Sequence, residues 1–202
     1  MLFFRFIDRV GIARHPPGET GERVKLVILR RDGVINSAAT PVMKVADWAP
    51  LPGAKEAISR LLRDGYRVVV VTNQPAVATG ELKIEVLNRI HMKMLEAVRQ
   101  KGGEIEAIFI CPHAPQDKCR CRVPSPGLFE EIAERLKVNL SGVYTVGGSL
   151  DDVKAAQAAS TRPVLLRSGG EVTADTAIPA GVPVFDDLSA FADALLTGQM
   201  PT

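Results

Sequence analysis

The 202-residue chain is long enough for one domain with a short extension, and 46% hydrophobic residues suffice for a sizeable core. A formal net charge of +2, with no block of like charges, argues against nucleic acid as a partner. No apolar run approaches the roughly 20 residues of a membrane span, and the short apolar start of the chain lacks a signal-peptide pattern. We therefore expect a cytoplasmic protein that does not enter a membrane.

Residues 1–24 are predicted to be an N-terminal appendage, because a short apolar stretch is followed by Pro16, Pro17, Gly18 and Gly21. From Lys25 onward the hydrophobic pattern becomes regular, and residues 25–202 are predicted to form one domain.

The domain reads as alternating strands and helices. Short apolar or β-branched runs predict strands at 26–29, 66–71, 105–110, 143–146, 163–166 and 184–185. Helical spacing predicts helices at 53–63, 81–101, 126–137, 150–159 and 187–196. This alternation indicates an α/β domain with a parallel sheet covered on both faces, in which ligands bind beyond the carboxyl ends of the strands.

A cluster with the spacing C-x-H-x5-C-x-C follows the third predicted strand. It consists of Cys111, His113, Cys119 and Cys121. Three thiolates and one imidazole complete a tetrahedral zinc set and leave no open position, so we predict structural Zn²⁺. The alternative, ordinary cysteines beside a surface histidine, is less favoured because all three cysteines of the chain share this loop. The other histidines, His15 and His91, are interpreted as an appendage residue and a helix-face residue.

Four polar motifs directly follow predicted strands or the zinc loop. They read R-R-D-G-V-I-N at 30–36, T-N-Q at 72–74, R-V-P-S-P-G at 122–127 and G-G-S-L-D-D at 147–152. With the zinc loop, W-A-P-L-P-G at 48–53 and V-T-N-Q at 71–74, this order resembles the haloacid dehalogenase superfamily over residues 25–195. It is most similar to the heptose bisphosphate phosphatases of lipopolysaccharide-type cell-surface sugar synthesis, and next to the histidinol phosphatases.

The resemblance implies a Rossmann-like, three-layer fold with a central, mostly parallel sheet, a minimal cap and a zinc-binding loop. It also implies Mg²⁺-dependent hydrolysis of a sugar phosphate through an aspartyl phosphate. Asp32 then stands at the general acid/base position. Thr72 and Asn73 match the phosphate-holding turn, Arg122 matches an arginine beside the zinc loop, and Asp152 matches the second acidic residue of the last motif.

Three positions depart from the family pattern. Arg30 stands at the nucleophile position, Val123 at the lysine position and Gly148 at the position of a magnesium-ligating aspartate. An arginine is always protonated and cannot attack phosphorus, valine carries no charge, and glycine offers no ligand. We therefore expect little or no turnover. We also expect no Mg²⁺ at the family's usual site, because Gly148 removes one ligand there and leaves Asp152 alone.

Three functions remain open at this point. The first is a phosphatase relative that is catalytically impaired or inactive and retains binding of phosphate or a sugar phosphate, with Arg30 taking the place of the metal beside Asp32. The second is an active phosphatase on a heptose bisphosphate or related sugar phosphate. The third is a zinc-stabilised protein-interaction module in which residues 1–24 form the contact segment. An alternative role for Arg30 is that it only fills an inactive pocket, where it pairs with Asp32 or Asp152. We give this alternative at least as much weight as phosphate binding.

Overall fold

The computed structural model describes residues 2–4, 24–170, 172–173 and 175–201. Strands and helices alternate along most of the chain. The strands are β1 (Leu2–Phe4), β2 (Leu26–Arg30), β3 (Arg67–Asn73), β4 (Ala107–Cys111), β5 (Tyr144–Gly147), β6 (Arg162–Leu166) and β7 (Val184–Phe185). The helices are α1 (Ala54–Arg63), α2 (Ile84–Arg99), α3 (Gly127–Leu136), α4 (Leu150–Ala158) and α5 (Leu188–Leu196).

The strands form one sheet with the order β1-β4-β3-β2-β5-β6-β7. The six strands β2 to β7 are parallel, and β1 is antiparallel to its neighbour β4. The predicted α/β architecture with a mostly parallel sheet is therefore confirmed. Every residue of β2, in the centre of the sheet, is buried, as continuous apolar parallel strands require.

Alternate residues of β2 point to two different cores, which defines three layers. Val27 and Leu29 belong to a core formed with α1, α2 and α5, whereas Leu26 and Ile28 belong to one formed with α3 and part of α4. This division follows from the two-residue period of a strand. At the carboxyl ends of the strands, the described connections are loops and short 3-10 turns, in agreement with a minimal cap.

Most predicted boundaries shift by one to three residues in the structure, and two of these shifts lie near the carboxyl ends of the strands. Helix α2 begins at Ile84 instead of residue 81, because the Leu82 amide donates to the Ala76 carbonyl (2.8 Å) and ties this segment to the preceding turn. Strand β2 extends by one residue to include Arg30. Asp187 caps the last helix, because its Oδ1 accepts from the Ala190 amide at 2.8 Å.

Part of the predicted appendage joins the sheet, because Leu2–Phe4 pairs with Ile108–Ile110. Residues 5–23, including His15, lie outside the described residues, so the division at residue 24 stays a prediction. No helix among the described residues is long and apolar enough to cross a membrane.

Candidate functional site

The carboxyl ends of β2, β3, β4 and β5 lie side by side and bring the predicted strand-end motifs together. Arg30 is in register with Val71, and Asn73 is in register with Cys111. The next strand on the other side, β5, pairs with β2 and ends at Gly147. We call this the strand edge; it gathers Arg30, Asp32, Thr72, Asn73, Gly148 and Asp152.

Asp32 is surrounded by hydrogen-bond donors. Its Oδ1 accepts from the Arg31 guanidinium at Nη2 (2.6 Å) and Nε (3.1 Å) and from the Asn36 amide (3.0 Å). Its Oδ2 accepts from the Thr72 hydroxyl (2.9 Å) and the Gln74 amide (3.1 Å). Five donors thus occupy the two oxygens and fix the carboxylate in place.

These donors also determine the charge of Asp32. Burial raises the pKa of this carboxyl, but the charge and hydrogen bonds of Arg31, the hydrogen bond of Asn36 and the charge of Arg30 together outweigh burial and hold the pKa below its ordinary value. An ionised carboxylate can accept a proton at neutral pH but has none to donate to a leaving group. The side chain at the acid/base position is therefore suited to the role of base in this state.

Arg30 is directed at Asp152 and not at Asp32. The Arg30 Nε lies 2.9 Å from the Asp152 Oδ1, and both side chains are buried. The contact joins opposite charges without the alignment of a hydrogen bond, so the Arg30 Nε and the Asp152 Oδ1 both lack a hydrogen-bond partner among the described residues. The pairing of Arg30 with Asp32, one of the two arrangements considered from the sequence, is wrong, because Arg31 occupies that carboxylate.

Asp152 is held by the start of α4. Its Oδ2 accepts from the Gly148 amide (3.0 Å), the Ser149 amide (3.2 Å) and the Ser149 hydroxyl (3.0 Å), and Ser149 caps the helix in return. The Asp152 side chain can lie here only because residue 147 is a glycine. A Cβ on Gly147 would be 2.3 Å from the Asp152 Cβ. The Asp152 Oδ2 is thus committed to Gly148 and Ser149, and the Oδ1 to Arg30.

The backbone closes over the position where the family has a metal-ligating aspartate. A Cβ added to Gly148 would lie 3.1 Å from both the Cα and the carbonyl oxygen of Gly33. A Cβ added to Gly169, in the loop after β6, would lie 2.3 Å from the same oxygen. Gly33 itself has φ +84°, in the left-handed region that favours glycine. Three loops therefore meet here in close backbone contact.

The remaining predicted residues lie around this edge. Thr72 is fully buried, and the Asn73 Oδ1 is buried without a hydrogen-bond partner among the described residues. Arg122 donates to the His113 carbonyl, which ties it to the zinc loop. Val123, at the lysine position, packs against the core that includes Leu128 and brings no charge.

The side chains present do not fit a Mg²⁺ ion at the family's usual position. Mg²⁺ requires near-octahedral oxygen ligands, with one or two carboxylates among them. The oxygens of Asp32 and Asp152 accept from eight donor atoms, five on Asp32 and three on Asp152. Asp152 is also paired with the Arg30 cation. Position 148 has no side chain, and its surroundings leave no room for one without movement of Gly33.

The zinc loop, Cys111 to Cys121, does fit a metal ion, because its four ligand atoms converge. All lie within 4.8 Å of one another. The closest pairs are the Cys111 and Cys119 Sγ atoms (3.5 Å) and the His113 Nδ1 with the Cys121 Sγ (3.1 Å). A tetrahedron with Zn–S bonds of about 2.3 Å has edges near 3.8 Å, so the donor set fits Zn²⁺. Within the described residues, no other group of three His, Cys, Asp or Glu side chains is close enough to share a metal.

His91 is a further site residue, and sequence reasoning missed it. Its Nε2 lies 3.2 Å from the Arg31 Nη1, on the buried face of α2. Burial, followed by the charge of Arg31, lowers the pKa of His91 to about 3, although Asp32 acts in the opposite direction. The imidazole is therefore neutral and accepts from Arg31, which in turn holds Asp32. Its apolar helical neighbours Leu87 and Met94 were the available signal, since they place His91 inside.

Comparison with known proteins identifies the family. Residues 6–160 match the haloacid dehalogenase-like hydrolases. The chain is 44% identical over 173 residues to the D-glycero-beta-D-manno-heptose-1,7-bisphosphate 7-phosphatase of Pseudomonas aeruginosa, covering 85% of this chain and 97% of that protein. It is 44% identical over 176 residues to the phosphatase of the same name from Bordetella bronchiseptica, covering 86% and 98%.

Solved structures agree with this result. The crystal structure of D,D-heptose 1,7-bisphosphate phosphatase from B. bronchiseptica, complexed with magnesium and phosphate, superposes with a TM-score of 0.82 at 43% identity over 87% of this chain and 99% of that one. A putative phosphatase of the same superfamily from Mesorhizobium loti gives a TM-score of 0.77 at 26% identity, over 98% and 92%. The chain therefore belongs to the haloacid dehalogenase-like hydrolases, in the family of the heptose-1,7-bisphosphate 7-phosphatases.

Proposed function

We propose that this chain binds a sugar phosphate of the heptose bisphosphate type and has lost hydrolysis through an aspartyl phosphate. The observation that carries the proposal is the buried ion pair between Arg30 and Asp152. It places a permanent cation where the family's nucleophilic carboxylate belongs, and it engages a carboxylate that would otherwise be free for a metal.

The other two replacements support the same conclusion. Val123 packs into an apolar core and supplies no positive charge to a nucleophile or a phosphate. Gly148 supplies no metal ligand. Because phosphoryl transfer depends on positioning and on electrostatic stabilisation of the transition state, the three losses act on the same step.

An active phosphatase is the second candidate, and the comparisons taken alone favour it. The relatives that are 44% identical are named as 7-phosphatases, and they match almost from end to end. Asp32 is present, ionised and next to the Thr72 hydroxyl, so it could assist direct attack by water. Such a route would need no nucleophile at position 30.

Measurement of phosphate release separates the two candidates. The zinc-loaded chain is incubated with D-glycero-D-manno-heptose 1,7-bisphosphate or an aryl phosphate in millimolar Mg²⁺, and binding of the bisphosphate is measured by calorimetry. Saturable binding without release supports the proposal. Release on the order of one turnover per second or faster overturns it and supports the active enzyme.

Asp32→Asn is the matched control for this assay, because the amide preserves the shape of the side chain. Activity that persists unchanged in Asp32→Asn arises from a contaminating phosphatase. Absence of both binding and release leaves the zinc-stabilised interaction module as the function, which a stable oligomer or complex would support.

A further inference from the structure

A small cavity lies between α2 and β4 and is formed by residues other than those of the strand edge. The helix contributes Asn88, His91, Met92 and Leu95, and residues 105–108 form the opposite wall. We call it the α2–β4 cavity. Its volume is about 30 Å³, which exceeds the roughly 10–15 Å³ that one water molecule requires. The space therefore accepts a hydroxyl group together with the carbon atom that carries it.

His91 brings an unused hydrogen-bond donor to this cavity. Its Nε2 lies 3.2 Å from the Arg31 Nη1, and because a guanidinium only donates, the Nε2 must accept. The neutral ring then carries its proton on Nδ1. His91 is only 3% exposed, and its Nδ1 is buried without a hydrogen-bond partner among the described residues. A buried donor in this state calls for an acceptor from outside the described side chains.

Asn88 brings an unused acceptor to the same cavity. Its Oδ1 is buried and lacks a hydrogen-bond partner in the described part of the chain. Asn88 precedes His91 by three positions in α2, so the two side chains are neighbours on one face of the helix. A single hydroxyl can accept one hydrogen bond and donate another. One such group would therefore satisfy both side chains.

The rest of the lining favours a ligand that is apolar and uncharged. Met92, Leu95, Ile105 and Ile108 present hydrocarbon or thioether surface. Met92 is 40% exposed, and its unbranched side chain can move aside for a ligand larger than the hydroxyl. Glu106 is the one ionisable carboxylate of the lining, and both of its oxygens accept from Arg67 at 2.6 Å. The cavity therefore offers no uncompensated charge to an ion.

We propose that the α2–β4 cavity binds a small neutral molecule that carries one hydroxyl on an apolar body. The hydroxyl accepts from the His91 Nδ1–H and donates to the Asn88 Oδ1, and the apolar body lies against Met92. Since His91 also accepts from Arg31, which holds Asp32, the bound hydroxyl extends a chain of hydrogen bonds that ends at the strand edge. The site is independent of whether that edge binds a sugar phosphate.

An NMR titration of the zinc-loaded, ¹⁵N-labelled chain with phenol tests this site. Toluene is the matched probe, because it has the same shape and lacks the hydroxyl. We expect saturable shifts of the backbone amides of residues 88–95 and 105–108 with phenol. Asn88→Leu keeps the approximate size of the side chain but removes the acceptor, so it should weaken phenol binding at least about fivefold without weakening toluene binding.

Ala107→Val provides a second variant, because the larger side chain narrows the cavity from the strand side. It should weaken binding of both probes at least about tenfold. Glu96→Gln, on the exposed face of α2, should bind phenol like the unmodified chain. Absence of saturable phenol binding would mean that the cavity holds water alone and overturns the proposal. Phenol binding that folded Asn88→Leu and Ala107→Val variants leave unchanged also overturns it.

Discussion

The zinc loop and the strand edge begin at the same end of one sheet, yet they differ in how closely they follow the family's residue pattern. The zinc loop presents four ligand atoms within 4.8 Å of one another. At the strand edge, three side chains that phosphoryl transfer requires are replaced by Arg30, Val123 and Gly148. A metal that holds a loop together contributes to folding whether or not the protein turns over substrate, whereas a nucleophile contributes to turnover alone. The comparison indicates that a complete zinc ligand set and a strand edge that departs from the family pattern can stand on one scaffold.

Removal of zinc should have the largest effect. Cys119→Ser deletes one ligand at a half-exposed position and leaves no large cavity. Because structural zinc contributes several kcal/mol to folding, we expect a fall in Tm of at least about 10 °C. Elemental analysis and thermal unfolding check this, with the exposed loop residue Gln116→Ser as a control that retains the metal. A metal-free parent of unchanged Tm would show that the loop folds without zinc.

Restoration of the chemistry is the second test. Arg30→Asp alone should remain inactive, because it places carboxylates at positions 30, 32 and 152 together and deprives Asp152 of its partner. The triple change Arg30→Asp, Val123→Lys and Gly148→Asp should release phosphate in Mg²⁺ at least about 100-fold faster than the parent. Adding Asp32→Asn to the triple variant should abolish the gain.

Two outcomes would contradict this test. Recovery by Arg30→Asp alone would mean that the lysine and the second aspartate are dispensable. Failure of a folded triple variant would direct attention to residues 75–80, which directly follow the T-N-Q motif, or to the contact between Gly148 and Gly33. An aspartate at position 148 must push that contact apart by a few tenths of an ångström.

Much of this comparison could be predicted from the sequence. Continuous apolar strands, helical spacing and the cysteine cluster depend on local pattern, and they predicted the sheet, the five helices and the zinc ligands. The partner of Arg30 could not be predicted, because Asp32 and Asp152 are equally suitable acids and only three-dimensional packing shows that Arg31 takes the first. His91 was missed for the same reason: its contact with Arg31 spans 60 positions in the sequence.

The third test concerns the neutral state of His91. In the unfolded chain a histidine binds a proton below about pH 6.5, whereas in the folded protein the pKa of His91 is lowered to about 3. The unfolded state therefore binds more protons in this window, and stability should fall as pH decreases, by about 1 kcal/mol per pH unit between roughly pH 6 and 4.5.

Urea midpoints of the parent and of His91→Gln across this range check the slope. Glutamine can still accept from Arg31 but does not titrate, so the variant should show a shallower dependence. Acid sensitivity from the zinc ligands is common to both proteins and cancels in the difference. Equal slopes would mean that His91 is accessible to protons in the folded state.

The last test concerns the glycines that close the strand edge, and its two expected effects differ in size. A Cβ at position 148 would meet Gly33 at 3.1 Å, which a small backbone adjustment can relieve, so Gly148→Ala should cost about 1 kcal/mol. At position 169 the Cβ would lie 2.3 Å from the Gly33 carbonyl oxygen, and backbone atoms cannot rotate away as a flexible side chain can, so Gly169→Ala should cost about 3 kcal/mol. Urea unfolding at neutral pH measures both. If the two variants are equally stable, the loops after β2, β5 and β6 can separate freely and the strand edge can open. A metal-ligating aspartate at position 148 would then meet no obstacle from the backbone.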